Sequence, residues 1–365
     1  MKISADLAQK IVDDMRLVLN HKVNFMDTNA NIIASSDPER IGNYHGGAFH
    51  VLKKKTPLLI EYDHQFKGAK KGINMPIYFD NQIIGVIGVS GESEVVKYTQ
   101  IVKTMTEMIL KEAYLNIMSF QKREKHRLII ETLLLDAGNL YYDTIFGIDF
   151  KENYHVIVGS PLTQDFDLGY LHQSLESILN QYPKIYFTIS FSMIIMLAPI
   201  ENIRDILTLI QNKTNELYNI ELFFSIGTLN INREDMKKSF ETAKQGLSWA
   251  VSQGGSDRII EYSELDLGMI VVATSADMKS FYLKRVFGKL SHKNQEQLIL
   301  ILEVFARHNG SISRCAEELF IHKNTFQYQL NKIKQITGYD PRIYQDFAVL
   351  YMALLFMKQE HTNYS

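Results

Sequence analysis

The chain has 365 residues, long enough for two or three domains that each bury a core. With 46% hydrophobic and 22% charged residues it has an ordinary globular composition, and a formal net charge of -2 excludes a globally basic nucleic-acid coat while leaving a local basic surface open. Cys315 is the only cysteine, which excludes an internal disulfide and a Cys-based zinc site and fits a reducing, cytoplasmic setting.

The opening MKISADLAQKIVDDM carries Asp6, Asp13 and Asp14 and lacks the apolar core of a signal peptide. No apolar run approaches the roughly 20 residues of a membrane span, so no membrane partner is expected. Leu7, Ile11, Met15, Leu17 and Val18 recur at helix spacing behind Ser4 as N-cap. KVNFMD and NIIASS then read as a hairpin, AFHVLKKK as a helix and PLLIEYDH as a strand. INMPIYFDNQIIGVIGVSGE reads as a second hairpin turning at Asp80-Asn81. Helix, two strands, a helical crossover and more antiparallel strands are the order of an α+β sensor of the PAS/Cache type.

From about Val95 to Leu135 the apolar positions Val95, Tyr98, Val102, Met105, Ile109, Ile117 and Phe120 stand mostly three or four apart, with no proline. A long helix is expected, partly coiled-coil; two helices broken near FQKREKHR are the alternative. Residues 140 to 262 alternate strand and helix in a β-α-β-β-α-β order with an added helix and strand, a ferredoxin-type plan. The remainder, including a domain over 290–360, is helical. The fold class is thus α+β and multidomain, with a sensor over 1–135 that includes the long helix over about 95–135.

Near the C-terminus, Leu298 to His308 read as a helix closed by Asn309-Gly310. Ser311 or Ser313 caps a second helix, and a turn through Phe320 to His322 leads to a third that buries Phe326, Leu330 and Ile333. This is helix-turn-helix spacing. The third helix exposes Lys323, Asn324, Thr325, Gln327, Tyr328, Asn331, Lys332 and Lys334, and no acidic residue stands between Leu319 and Tyr339. An acid-free surface suits a phosphate backbone, and Asn and Gln suit base edges. A merely solvated helical hairpin would show the same polar face.

The run NGSISRCAEELFIHKNTFQYQLNKI closely resembles the C-terminal DNA-binding domain of PucR/CdaR-type regulators, with His322, Lys323, Asn324, Thr325, Tyr328 and Leu330 on the family pattern and Gln329 in place of its usual arginine. VNFMDTNANIIASSDPERIGNYHGGA with INMPIYFDNQIIGVIGVSGE resembles the sugar diacid recognition domain of CdaR-type regulators. That resemblance implies a transcription factor, an activator in its expected role, that responds to glucarate, galactarate or glycerate and binds an operator in double-stranded DNA. It further implies a degenerate GGDEF-like middle domain, since the central hairpin YFTISFSM lacks the cyclase glycines and acids. A homodimer or higher homo-oligomer is expected. No cofactor or metal is implied.

The opening stretch suits such a ligand. Arg40 can fork onto a carboxylate. His45, Gly46 and Gly47 open a helix whose backbone N–H groups favour anions, and Asn74 offers a donor and an acceptor to a hydroxyl. Gly85 and Gly88 let a ligand or another backbone come close, and Asp37 precedes Pro38 as an N-cap. On the residues alone, Arg40 paired to Glu39 or another acid, a backbone-satisfied His45 and simple bulges at the glycines explain the same pattern. The DNA-contacting set is expected to be Lys323, Asn324, Thr325, Gln327, Tyr328 and Lys332. The competing class is an enzyme acting on a small carboxylic acid with an accessory helix-turn-helix; no catalytic residue is assigned, because no nucleophile motif accompanies His45 and Asp37.

Overall fold

The structure, a computed structural model, describes residues 3–134, 154–162, 166–190, 192–199, 202–228, 233–253, 257–288 and 292–362. The expected start of the middle domain, near residue 140, lies outside the described residues. The chain divides into two compact units, Met1–Lys122 and Arg123–Ser365.

The first unit opens with α1 (Ala5–Leu19), started by Ser4, whose Oγ accepts from the Leu7 N–H at 3.3 Å, and ended by Asn20 at φ 55. Ile11, Val12 and Met15 are buried, whereas Leu17 and Val18 are exposed, so the apolar stripe ends one turn before the sequence pattern does. Next come β1 (Lys22–Met26), β2 (Ile32–Ser35), α2 (Gly46–Lys54), β3 (Leu58–Ile60), β4 (Gly72–Phe79) and β5 (Gln82–Ser90). Strand β3 is three residues long, shorter than PLLIEYDH suggested, because residues 61–71 form a loop containing His64 at φ 67 and Gly68 at φ 71. Asp80 and Asn81 both have positive φ, the conformation of the tight turns that match strand twist.

The sheet order is β2-β1-β5-β4-β3, antiparallel throughout. Strand alternation sends Val23, Phe25, Ile73, Met75, Ile77 and Ile87 into a core with Ile11, Val12 and Met15 of α1. The opposite face carries Met26, Ile32 and Val86 against Ala48 and Val51 of α2. Asn24 falls on that second face, between Val23 and Phe25.

Helix α3 (Thr99–Leu134) is 36 residues long and continues unbroken through FQKREKHR, after a 3-10 turn over Ser93–Tyr98. Val102 and Leu110 are fully buried in the first unit's core, and Met105 and Ile109 pack against it. Ile101, Met108, Leu115, Ile117, Met118 and Phe120 are exposed.

In the second unit, β6 (Tyr154–Pro161), α4 (Leu168–Leu179), β7 (Tyr186–Ser190), β8 (Met193–Pro199), α5 (Ile203–Tyr218), β9 (Leu222–Ile226), α6 (Arg233–Gln253) and β10 (Ile259–Glu261) build a sheet of order β10-β9-β6-β8-β7. Along β9-β6-β8-β7 each strand is antiparallel to its neighbour, and β10 adds parallel to β9. Helices α4 and α5 cover one face through Leu171, Leu175, Leu207 and Ile210. Ala243, Leu247 and Ala250 of α6 cover part of the other against Val158 and Phe223, as do Ile129, Ile130 and Leu133 at the end of α3.

The chain ends in helices α7 (Asp266–Ala273), α8 (Ala276–Phe287), α9 (His292–Arg307), α10 (Ile312–Glu318), α11 (Lys323–Thr337) and α12 (Tyr344–Thr362). Leu302, Phe305, Cys315, Phe326, Leu330 and Leu354 share their core. Burial raises the pKa of the Cys315 thiol, so it sits there as a small neutral core group. Among the described residues no helix is long and apolar enough to cross a membrane.

Candidate functional site

One rank of residues runs straight across the first sheet: Ser35, Asn24, Gly88, Asn74 and Leu58 are successive cross-strand partners. Directly opposed residues share a face. The rank therefore sets buried Ser35, Asn24 and Asn74 on the α2 side, with a glycine where a side chain would otherwise stand. Three buried polar groups in the middle of a sheet are costly unless partnered.

Asn74 is 3% exposed, and its Nδ2 has no hydrogen-bond partner. It sits between two glycines: a Cβ on Gly47 would stand 2.7 Å from its Nδ2, and a Cβ on Gly88 would stand 2.5 Å from its Oδ1. Gly85 has a different role, since a Cβ there would strike the Phe25 ring and the Met26 carbonyl.

Beside Asn74, α2 begins. His45 caps it, its Nδ1 accepting from the Ala48 N–H at 3.1 Å. Burial, helped by the charge of Arg40, lowers the His45 pKa to about 4. The ring is neutral near pH 7, and with Nδ1 accepting it is the Nε2–H tautomer. The Gly46 N–H donates to the Lys67 carbonyl at 2.7 Å. Two first-turn donors of the expected anion site, Gly46 and Ala48, are thus engaged by the chain itself.

Arg40 donates through Nη2 to the Gly68 carbonyl at 2.6 Å. Its Nη1 faces the amide of Asn24, and because a guanidinium only donates, the Asn24 Oδ1 belongs on that side, accepting at 3.0 Å while Nδ2 donates to Ser35 Oγ at 2.6 Å. Burial lowers the pKa of Arg40, opposed by the charges of Asp37 and Asp63. Glu39 is not its partner in any described contact. Asp37 precedes the 3-10 turn Pro38–Arg40 but makes no side-chain cap bond; its carboxylate lies 3.9 Å from both Lys22 and Lys70.

The structure thus gathers Arg40, His45, Gly46, Gly47 and Asn74 around one end of α2. Asn24, Ser35, Lys67 and Gly68 join them, and sequence reasoning missed these. Asn24 left a signal, a lone polar residue in a strand with apolar neighbours on both sides. The carbonyls of Lys67 and Gly68 left none.

At the other end of the chain, Asn309 at φ 50 and Gly310 at φ 77 close α9. Ser311 takes the N-cap position of α10 without a side-chain cap bond. Phe320 at φ 53 forms the turn, and His322 caps α11, Nδ1 accepting from the Asn324 N–H at 3.2 Å. Phe326, Leu330 and Ile333 are its buried face. Lys323, Asn324, Thr325, Gln327, Tyr328 and Asn331 are exposed, and Lys332 is half-buried. Lys334 is paired with Asp340 at 3.2 Å, so it is not a free cation of that surface.

A sheet domain with a buried polar rank in the N-terminal part of the sequence, and a helix-turn-helix in the C-terminal part, are the components of a sensor joined to a DNA reader. The sugar diacid recognition family model matches residues 3–133, and the PucR C-terminal helix-turn-helix model matches residues 298–356. The carbohydrate diacid regulator of Escherichia coli is 25% identical over 96% of this chain and 97% of its own length. YsfB of Bacillus subtilis, itself uncharacterized, is 27% identical over 97% of this chain and 98% of its own. The proline-responsive transcriptional activator PutR of the same organism is 25% identical over 52% of this chain and 50% of its own length. The chain belongs to the CdaR-type sugar diacid regulator family and is a ligand-responsive, DNA-binding transcription regulator.

Proposed function

We propose that this regulator senses a small hydroxy acid, namely glucarate, galactarate or glycerate, at the α2 end of its first sheet, with Arg40, His45, Gly46, Gly47 and Asn74 as the binding set. The observation that carries this reading is the partnerless, buried Nδ2 of Asn74 beside Gly47. A buried donor without an acceptor costs roughly 1–3 kcal/mol, and a ligand oxygen would relieve it. Arg40 then pairs with the carboxylate, and the neutral His45 Nε2–H donates to a hydroxyl or carboxylate oxygen. The carbonyls of Lys67 and Gly68, which accept from Gly46 and Arg40, stand where carboxylate oxygens would. Their replacement by ligand moves the 61–71 loop and supplies the differential affinity any effector response needs.

In this reading the sensor is PAS/Cache-like and the middle sheet is a degenerate GGDEF-like domain. The protein acts in the cytoplasm as a homodimer that activates genes for use of the acid, and α11 contacts the operator through Lys323, Asn324, Thr325, Gln327, Tyr328 and Lys332. A thermal-shift screen of the full chain against the three acids tests it. A ligand present at about a hundred times its Kd adds roughly 2.7 kcal/mol to native stability, so the effector should raise the melting temperature. Consumption of an acid by the purified chain would favour an enzyme, and the absence of any shift would remove these acids as effectors.

A further inference from the structure

Beyond α11 the sequence TGYDPR folds back onto the reader helix. Gly338 at φ 83 ends the helix, and Asp340, 6% exposed, lies beneath its last turns. Arg342 grips Asp340 through Nε to Oδ1 at 2.8 Å and Nη2 to Oδ2 at 3.0 Å. Lys334 meets the same carboxylate at 3.2 Å. The backbone N–H of Asp340 in turn donates to Asp346 Oδ2 at 2.8 Å, which ties the loop to α12. Arg342 is therefore held by a fixed, nearly buried anion.

The free edge of that guanidinium reaches α11. Its Nη2 also donates to Oδ1 of Asn331 at 2.8 Å. Asn331 is exposed, and it stands four residues after Gln327 and seven after Asn324, in the same row of the helix surface. An asparagine amide usually can point either way. Here it cannot, because a guanidinium has no acceptor, so Oδ1 must face Arg342 and Nδ2 must face outward.

We propose that Arg342, anchored by Asp340, is a positioning residue that makes Asn331 a donor-only contact to DNA. The bidentate pairing of asparagine with adenine requires Oδ1 and Nδ2 together, and Oδ1 is engaged. What Nδ2 can meet is an acceptor, either a phosphate oxygen or a base edge, and among the bases guanine alone sets two acceptors, O6 and N7, side by side, whereas adenine N7 and thymine O4 stand singly. The inference rests on α11 as the DNA-facing element; if that reading fails, Lys323→Ala will also leave DNA binding unchanged.

Selection of sites from randomised duplex DNA by the full chain tests it, comparing wild type with Asn331→Ala and Arg342→Ala. If the partner is a base, wild-type sites carry a guanine preference that Asn331→Ala erases with about a three- to tenfold loss of affinity. Arg342→Ala, which frees the amide to turn, should then shift that position toward adenine. If the partner is a phosphate, base preferences stay the same, both variants lose affinity by the same factor, and the double variant loses no more. Should Arg342→Ala melt below the assay temperature, Arg342→Lys keeps a charge beside Asp340 without the fork and should give the same readout. A wild-type adenine preference that depends on Asn331, unchanged selection and affinity in Asn331→Ala, or additive losses in the double variant would each overturn the proposal.

Discussion

Asn74 and Gly47 are a matched pair: the asparagine amide fills the space a side chain at position 47 would need, with Nδ2 only 2.7 Å from that missing Cβ. The same amide presses on Gly88 from its other end. The sensor therefore keeps a buried, unsatisfied donor in place by keeping two glycines. Gly47→Ala should force Asn74 out of its position, with an overpacking cost of about 1–3 kcal/mol and a parallel loss of acid binding. Melting curves and calorimetric titration read the two effects. A variant with unchanged stability and affinity would show that Asn74 moves freely.

Protonation of His45 sets a pH edge on the sensor. Its folded pKa is about 4 against an ordinary 6.5, so the unfolded chain takes up the proton first as pH falls. The stability this group contributes is full above 6.5 and is lost as pH drops toward 4. A shift of that size corresponds to roughly 3 kcal/mol. His45→Asn, which can still cap α2 but does not titrate, should flatten the fall of melting temperature in that window. Equal slopes in both proteins would assign the acid lability to other groups.

On the reader, Lys323 is exposed at the first position of α11. Lys323→Ala should lower operator affinity and reduce the salt slope by about 0.9 if it neutralises one phosphate. Half-buried Lys332 should give a smaller change. Fluorescence anisotropy across a salt series measures both, and an unaltered slope for Lys323→Ala would take it off the phosphate backbone.

The two sides of α3 should answer differently to charge. Val102 is fully buried in the sensor core, so Val102→Glu should unfold the sensor and abolish acid binding. The proposed dimer must use the other side, where Ile101, Met108 and Leu115 recur every seven residues and are exposed. A seven-residue apolar spacing is that of paired helices. Met108→Glu should leave the sensor folded and acid-binding while lowering the mass seen by light scattering. A folded Met108→Glu protein of unchanged mass would place the contact elsewhere.

Local grammar made much of this fold legible. Ser4 opens α1, Asp80-Asn81 turn β4 into β5, and Phe326, Leu330 and Ile333 line the buried side of α11, all features whose cause lies within a few residues. Legibility failed where the cause is distant. Met105 looks equally suited to a surface seam and to a core, because helical period gives a stripe but not what covers it. The grip of Arg40 on Gly68, 28 residues away, has no local signature, since any residue can present a carbonyl. Asp37 shows the converse: it has a capping residue's sequence context before Pro38, yet two lysines hold its carboxylate instead. Of the residues gathered at the candidate site, Arg40, His45, Gly46, Gly47 and Asn74 were named from the sequence, whereas the side chains of Asn24 and Ser35 and the carbonyls of Lys67 and Gly68 were not.

In the proposed function an acid held by Arg40 changes how the reader binds DNA. The most direct measurement is the affinity of the full chain for the DNA upstream of its own gene, with and without saturating glucarate, galactarate or glycerate, for wild type and Arg40→Ala. One of the acids should shift wild-type affinity, and the shift should disappear in Arg40→Ala, whose charge-assisted contact is worth roughly 1.5–3 kcal/mol, while its acid-free affinity is retained. An acid that binds the protein without altering DNA affinity, or an Arg40→Ala protein that responds as wild type does, would contradict the account.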